Sequence, residues 1–271
     1  MISLSSINCS AAPITFNSAL PVSQDEWLVR GLITIDERSS TINSSQVERT
    51  QLSLVSVLGY GINAKWSAFA VLPVRDVSLS LNGLSHSESA IADTEIFSRY
   101  EVLRIDKARS TFRVAPFAGI RLPTGEIDIT SDGTTDIFAG LIITSANVKQ
   151  NFDFQLRYDL NGKQEQFNAG NSFNIDFSWQ KRVLPKQIKA DTKGFWFSAL
   201  EINLNYTENN RLAGNLDLNS GGFTASISPG IQYISRRWIA ELAVRIPIIR
   251  NLNGATLEPD YTVFTGIRAN F

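Results

Sequence analysis

Ser85-His86-Ser87-Glu88 sets two hydroxyls, an imidazole and a carboxylate side by side, the residue types of nucleophilic ester hydrolysis. That chemistry needs base and nucleophile to converge from a supported scaffold, and four consecutive residues within the polar stretch Pro73 to Ala92 supply none. A membrane-embedded hydrolase that depends on His86 is therefore a minor alternative to a solvated loop residue. Asp128, Thr130, Asp132 and Gly133 place oxygen ligands at alternate positions before a glycine, as a calcium loop does. The twelfth position is Ala139, where the clamping Glu should stand, so an ordinary acidic loop is the simpler reading. Cys9 and His86 are the only residues of their types, which excludes an internal disulfide, a Cys-rich zinc site and paired His ligands. The glycines form no phosphate loop. No cofactor, metal or catalytic residue is expected, and the chain reads as a non-enzyme.

A larger set of polar side chains is more informative: Arg99, Glu101, Arg113, Arg121, Asp153, Arg157, Asp176, Glu201, Arg237, Glu241, Arg245 and Arg268. Each alternates with apolar neighbours, the period of a β-strand with one wet and one dry face. In Phe152 to Leu160, for example, Phe152, Phe154, Leu156, Tyr158 and Leu160 oppose Asp153, Gln155, Arg157 and Asp159. The last eleven residues repeat the pattern, with Tyr261, Val263, Ile267 and Phe271 on the apolar side and Arg268 and Asn270 on the other. About twelve such segments run from Glu26 to Phe271, an even number, as a closed single-chain barrel requires. Short connections alternate with longer polar ones, which puts both termini in the periplasm.

Composition agrees. The net charge of -1 gives no pull toward nucleic acid, and no stretch approaches the roughly eighteen apolar residues of a membrane helix. Aromatics reach 10%, enough for interfacial girdles. Residues 1–25 read as a poorly ordered N-terminal segment ahead of a barrel spanning 26–271. Its Ser10, Ala11 and Ala12 would be the remnant of a signal cleavage region from a longer precursor.

One stretch is distinctive beyond its pattern. Asp93, the strand Arg99-Tyr100-Glu101-Val102-Leu103, the run Gly119-Ile120-Arg121-Leu122-Pro123-Thr124-Gly125-Glu126, and Asp136-Ile137-Phe138-Ala139-Gly140-Leu141 resemble a family of bacterial outer-membrane transporters associated with the meta-pathway of phenol degradation. The resemblance covers Ala92 to Gly162. It implies an outer-membrane β-barrel that passes small molecules, hydrophobic or aromatic compounds among them, and carries over no catalytic residue.

The expectation is an all-β fold: one antiparallel, up-and-down transmembrane β-barrel of about 12 strands in the bacterial outer membrane. The charged set would line a polar lumen, either as a wet pore or as a salt-bridged filling. Outer-membrane lipid, a small solute and the barrel assembly machinery would be its partners, the last reading Tyr261, Val263, Ile267 and Phe271 as a terminal signal. A non-conducting structural or adhesion barrel is the rival function.

Overall fold

A computed structural model describes residues 11–42, 45–127, 129–164, 166–189, 191–254 and 256–271. Twelve strands follow in chain order. They are β1 (Trp27–Ile42), β2 (Ser45–Gly61), β3 (Trp66–Leu81), β4, β5 (Ser110–Leu122), β6 (Asp136–Asn147), β7 (Gln150–Leu160), β8 (Ser172–Leu184), β9 (Phe195–Thr207), β10 (Gly222–Ile234), β11 (Trp238–Leu252) and β12 (Glu258–Asn270). Strand β4 comes in three pieces, Leu84–Ile91, Thr94–Tyr100 and Leu103–Lys107. Each strand pairs antiparallel with its sequence neighbour, and β12 closes on β1 with Ile35 opposite Val263. Trp27 N donates to Phe271 O at 3.0 Å and Phe271 N donates to Trp27 O at 2.9 Å, which completes the seam.

Alternation decides which side chains meet lipid. Along β9, Trp196, Leu200 and Ile202 are exposed while Phe197, Ala199 and Glu201 are buried inside the ring. The same parity exposes Phe152 and Tyr158 on β7, and Trp238 and Leu242 on β11. On β12, Tyr261, Ile267 and Phe271 are exposed, and Val263 shares their side. The apolar belt is thus external, as hydrocarbon requires of a closed barrel.

Two polar stretches, one of them read above as loop, are largely strand. Ser39 to Ser45 and Pro73 to Ala92 largely belong to hairpins that overrun the barrel on the side opposite the termini. The second hairpin turns at Asn82 and Gly83, with φ of 49° and 84°. An Asn-Gly pair with both φ values positive is the two-residue turn whose twist matches paired strands. Conversely, Asn161-Gly162 opens an eleven-residue loop, 161–171, rather than a tight turn. Three two-residue strands, Phe167–Asn168, Arg211–Leu212 and Asn215–Leu216, knit that loop to 208–221.

A charge introduced in mid-belt tests the lipid face. Ile202→Arg should lower the unfolding free energy in phosphatidylcholine vesicles by about 2 to 4 kcal/mol in guanidinium titrations; an unchanged value would count against this face meeting lipid.

Candidate functional site

The lower half of the lumen, nearest the termini, is occupied by the chain itself. Residues Ala11 to Asp25, expected to be poorly ordered, run through it, and Ala11, Ala12, Ile14, Phe16, Ala19 and Val22 are buried there. Ser10, the first residue of the expected cleavage remnant, lies outside the described residues. A segment with no strand partner must find donors and acceptors elsewhere for its buried amides and carbonyls. The inward side chains provide them. Glu201 on β9 accepts from Ile14 N at 2.8 Å, Thr15 N at 3.0 Å and Thr15 Oγ1 at 2.5 Å. Ala19 N donates to Thr144 Oγ1 on β6 at 2.8 Å, and Val22 N donates to Ser67 Oγ on β3 at 3.0 Å. The carbonyls of Ala11, Ala12, Pro13 and Ile14 accept from Asn151, Gln232, Arg268 and Arg30 respectively. Arg99 donates to the carbonyls of Ser18 and Leu20. Glu241 in turn holds Arg30 at 2.6 Å and Arg268 at 3.0 Å, fixing both guanidiniums against the segment.

Apolar contacts seat the other side of the segment. Ala19 and Val22 pack on a buried cluster that contains Phe69, Phe97, Phe117 and Phe138, and Ile14 packs with Leu32, Ala199, Ala243 and Phe264. Phe69 and Phe97 stack with centroids 4.7 Å apart, and Phe117 and Phe138 meet Phe97 at 6.3 and 6.1 Å. Room for these rings comes from inward glycines. A Cβ on Gly119 would lie 2.4 Å from Phe97 Cβ, and one on Gly140 would lie 2.4 Å from Phe117 Cζ. The lumen is therefore polar only in part. The inward parity of Phe69, Phe97, Phe117 and Phe138 was readable in the alternation.

Above the segment the lumen opens into two cavities of about 940 and 930 Å³. Thr15, Phe16 and Asn17 form part of the lining of the second, which reaches Asp217, Ser220 and Leu257 in the loops at the far end. Both cavities share Glu95 and Arg121, members of an ion network. Arg121 contacts Glu95 at 2.9 Å, Asp136 at 3.0 Å and Asp159 at 3.1 Å. Arg157 contacts Glu95 at 3.0 Å and Asp159 at 2.7 Å, and its guanidinium lies 4.0 Å from the Phe138 ring centroid. Pairing of this density is what opposite charges in a confined space require.

The expected lumen residues fall into groups. Arg99, Glu201, Glu241 and Arg268 hold the segment or its clamps, whereas Arg121 and Arg157 border the cavities. Arg113 pairs with Glu101 at 3.2 Å and Asp106 at 2.9 Å. Asp153 accepts from Thr144 and Gln180, and Asp176 accepts from Asn203 and Gln155. Arg245 lies with its guanidinium 5.0 Å from the Phe264 ring centroid. Arg237 is a correction. It sits exposed in the turn 235–237 between β10 and β11, one residue before the strand whose parity it shares, and does not line the lumen. Arg30, Glu95 and Gln232 also face inward and stand outside the expected set, as do Gln155 and Asp159, already read on the polar face of β7.

Of the other chemical candidates, Thr130 and Asp132 line the first cavity, whereas His86 lies apart from the lumen. His86 stands on the exposed β3–β4 hairpin, its Nε2 2.9 Å from Glu88 Oε1. Asp128 lies outside the described residues; Thr130 Oγ1 donates to Ile91 O at 2.6 Å, and Asp132 Oδ1 accepts from Thr134 N at 3.0 Å, so both serve the loop itself.

Comparison with known proteins places the architecture. Over 97% of this chain and 100% of the other, the fold is similar to the crystal structure of an outer membrane channel from Pseudomonas putida F1, with a TM-score of 0.72 and 10% identity. The translocator domain of the autotransporter NalP from Neisseria meningitidis gives a TM-score of 0.50 at 11% identity, over 93% of this chain and 91% of that one. Among curated proteins, a stretch of 132 residues, 44% of this chain, is 30% identical to human apolipoprotein B-100, of whose length it spans 3%. Residues 39–245 match the family model described as "Putative MetA-pathway of phenol degradation".

The clamp on the segment is testable. Glu201→Ala leaves the Ile14 and Thr15 amides without their acceptor, so amide exchange across 11–22 should accelerate at least about tenfold while β9 and β10 stay protected. Unchanged exchange, read by mass spectrometry, would show that Glu201 does not seat the segment.

Proposed function

The chain belongs to the family of the MetA pathway of phenol degradation, and on that premise we propose that it is a bacterial outer-membrane channel for the passive passage of small molecules, hydrophobic or aromatic compounds among them. The observation that carries this reading is the pair of cavities, each above 900 Å³, the second of which runs from the outer loops down to a segment held by hydrogen bonds and van der Waals contact. Such a segment can move without breaking any covalent bond. The Phe69, Phe97, Phe117 and Phe138 cluster beside it offers apolar surface to an aromatic solute, and the Arg121 and Arg157 network offers polar anchorage above. No cofactor and no covalent step is involved, and His86 takes no part.

A non-conducting barrel is the second reading, favoured by the filling of the lower lumen. Planar-bilayer recordings separate the two. The full chain should give small conductances, deletion of residues 1–22 should raise them several-fold, and vesicles carrying the full chain should admit phenol faster than empty ones. A folded, inserted protein with neither conductance nor solute flux in either form would sink the channel reading.

Assembly supplies a separate expectation. Tyr261, Val263, Ile267 and Phe271 form the terminal signal taken up by the barrel assembly machinery, and Phe271 also closes the seam through its backbone. Deleting Phe271 should impair insertion into the outer membrane, measured as the heat-modifiable folded fraction in membranes; normal insertion would count against this role.

A further inference from the structure

The two ends of the barrel carry opposite charge. By sequence, the five connections at the terminal end, 62–65, 108–109, 148–149, 185–194 and 235–237, hold eight Lys or Arg and one Asp; the six at the opposite end hold two Lys or Arg and six Asp or Glu. Every lysine except Lys163 lies toward the terminal end. All five tryptophans lie in the same half, at or near strand ends and facing outward.

Basic side chains and tryptophans converge at one place. Loop 185–194 and turn 235–237 enclose a cavity of about 560 Å³ lined by Lys193, Arg236, Arg237 and Trp238, with Asp191 the only carboxylate. Trp238 forms a ring cluster with Tyr233 at 5.2 Å, and Tyr233 with Trp196 at 5.0 Å, all on the lipid side. The loop is fixed against that cluster: a Cβ on Gly194 would come 2.5 Å from the Tyr233 hydroxyl. Ser235 Oγ accepts from Trp238 N at 3.1 Å, which shapes the turn. Among the described residues, Lys193, Arg236 and Arg237 have no carboxylate within ion-pair distance.

From this geometry we propose that the cavity between loop 185–194 and turn 235–237 binds the phosphate headgroup of an anionic phospholipid from the inner leaflet of the outer membrane. Three cations without partners face the headgroup level, and the aromatic cluster above them gives the glycerol and upper acyl chain an amphipathic wall, the arrangement by which proteins hold lipid at an interface. A soluble anion would use the cations and leave the aromatic wall idle. The site is independent of solute passage and stands whether or not the barrel conducts.

The full chain, purified in detergent, is offered phosphatidylglycerol or zwitterionic phosphatidylcholine, and retained lipid is counted by native mass spectrometry. Wild type should keep phosphatidylglycerol in preference. R236Q/R237Q should retain at least about tenfold less, because each basic residue near an anionic surface contributes several-fold. The control K163Q/R211Q removes the same charge from the opposite end and should retain it fully. Equal loss in both double variants, equal retention in both, or equal binding of the two lipids would overturn the proposal. Displacement of the lipid by equimolar inorganic phosphate would identify a free-anion site and overturn it as well.

Discussion

In hydrocarbon an unpaired peptide group costs several kcal/mol, and the rest of this molecule follows from that. It forces the strands into a ring, and the ring is complete because β12 ladders along β1 from Leu28 to Ser39, with Phe271 and Trp27 exchanging backbone hydrogen bonds at the end. Closure leaves one side of every strand facing lipid and the other facing inward, so the period-two sequence becomes two surfaces of opposite chemistry. The rule also holds inside. The N-terminal segment has no strand beside it, and its buried amides and carbonyls are met by side chains such as Glu201, Thr144 and Arg99. The polar inner face is thus in large part the hydrogen-bonding partner of the chain's own backbone.

Two kinds of filling share the lumen. Toward the termini, phenylalanines and small apolar residues pack on the segment as in a protein core, with inward glycines yielding space to rings. Toward the outer loops, the ion network around Glu95, Arg121 and Arg157 leaves cavities rather than closing on itself. From the outer loops toward the termini the interior thus changes from a charged, open region to a closed aromatic one.

The barrel was legible in the sequence because alternation is local. The pairing of the first strand with the last followed from closure, and twelve segments and their lipid faces could be read from neighbours two residues apart. The N-terminal segment could not. Ala11 to Val22 shows no period, since its partners are scattered from Arg30 to Arg268 and their only common property is pointing inward. Arg237 failed for a related reason: parity continues past the end of a strand, but the wall does not. The β3–β4 hairpin was concealed by its serines, although Asn82-Gly83 marked the turn.

The segment touches the ring from many sides. Its contacts reach β1 through Arg30, β3 through Ser67, β4 through Arg99, β6 through Thr144, β7 through Asn151, β9 through Glu201, β10 through Gln232 and β12 through Arg268. These act as spokes on a hub. A twelve-stranded sheet closed on itself can flatten toward an ellipse at little cost to its ladders, and spokes of fixed length oppose that in every direction. The segment that fills the tube therefore also sets its cross-section, so its departure would change the shape of the conduit as well as empty it.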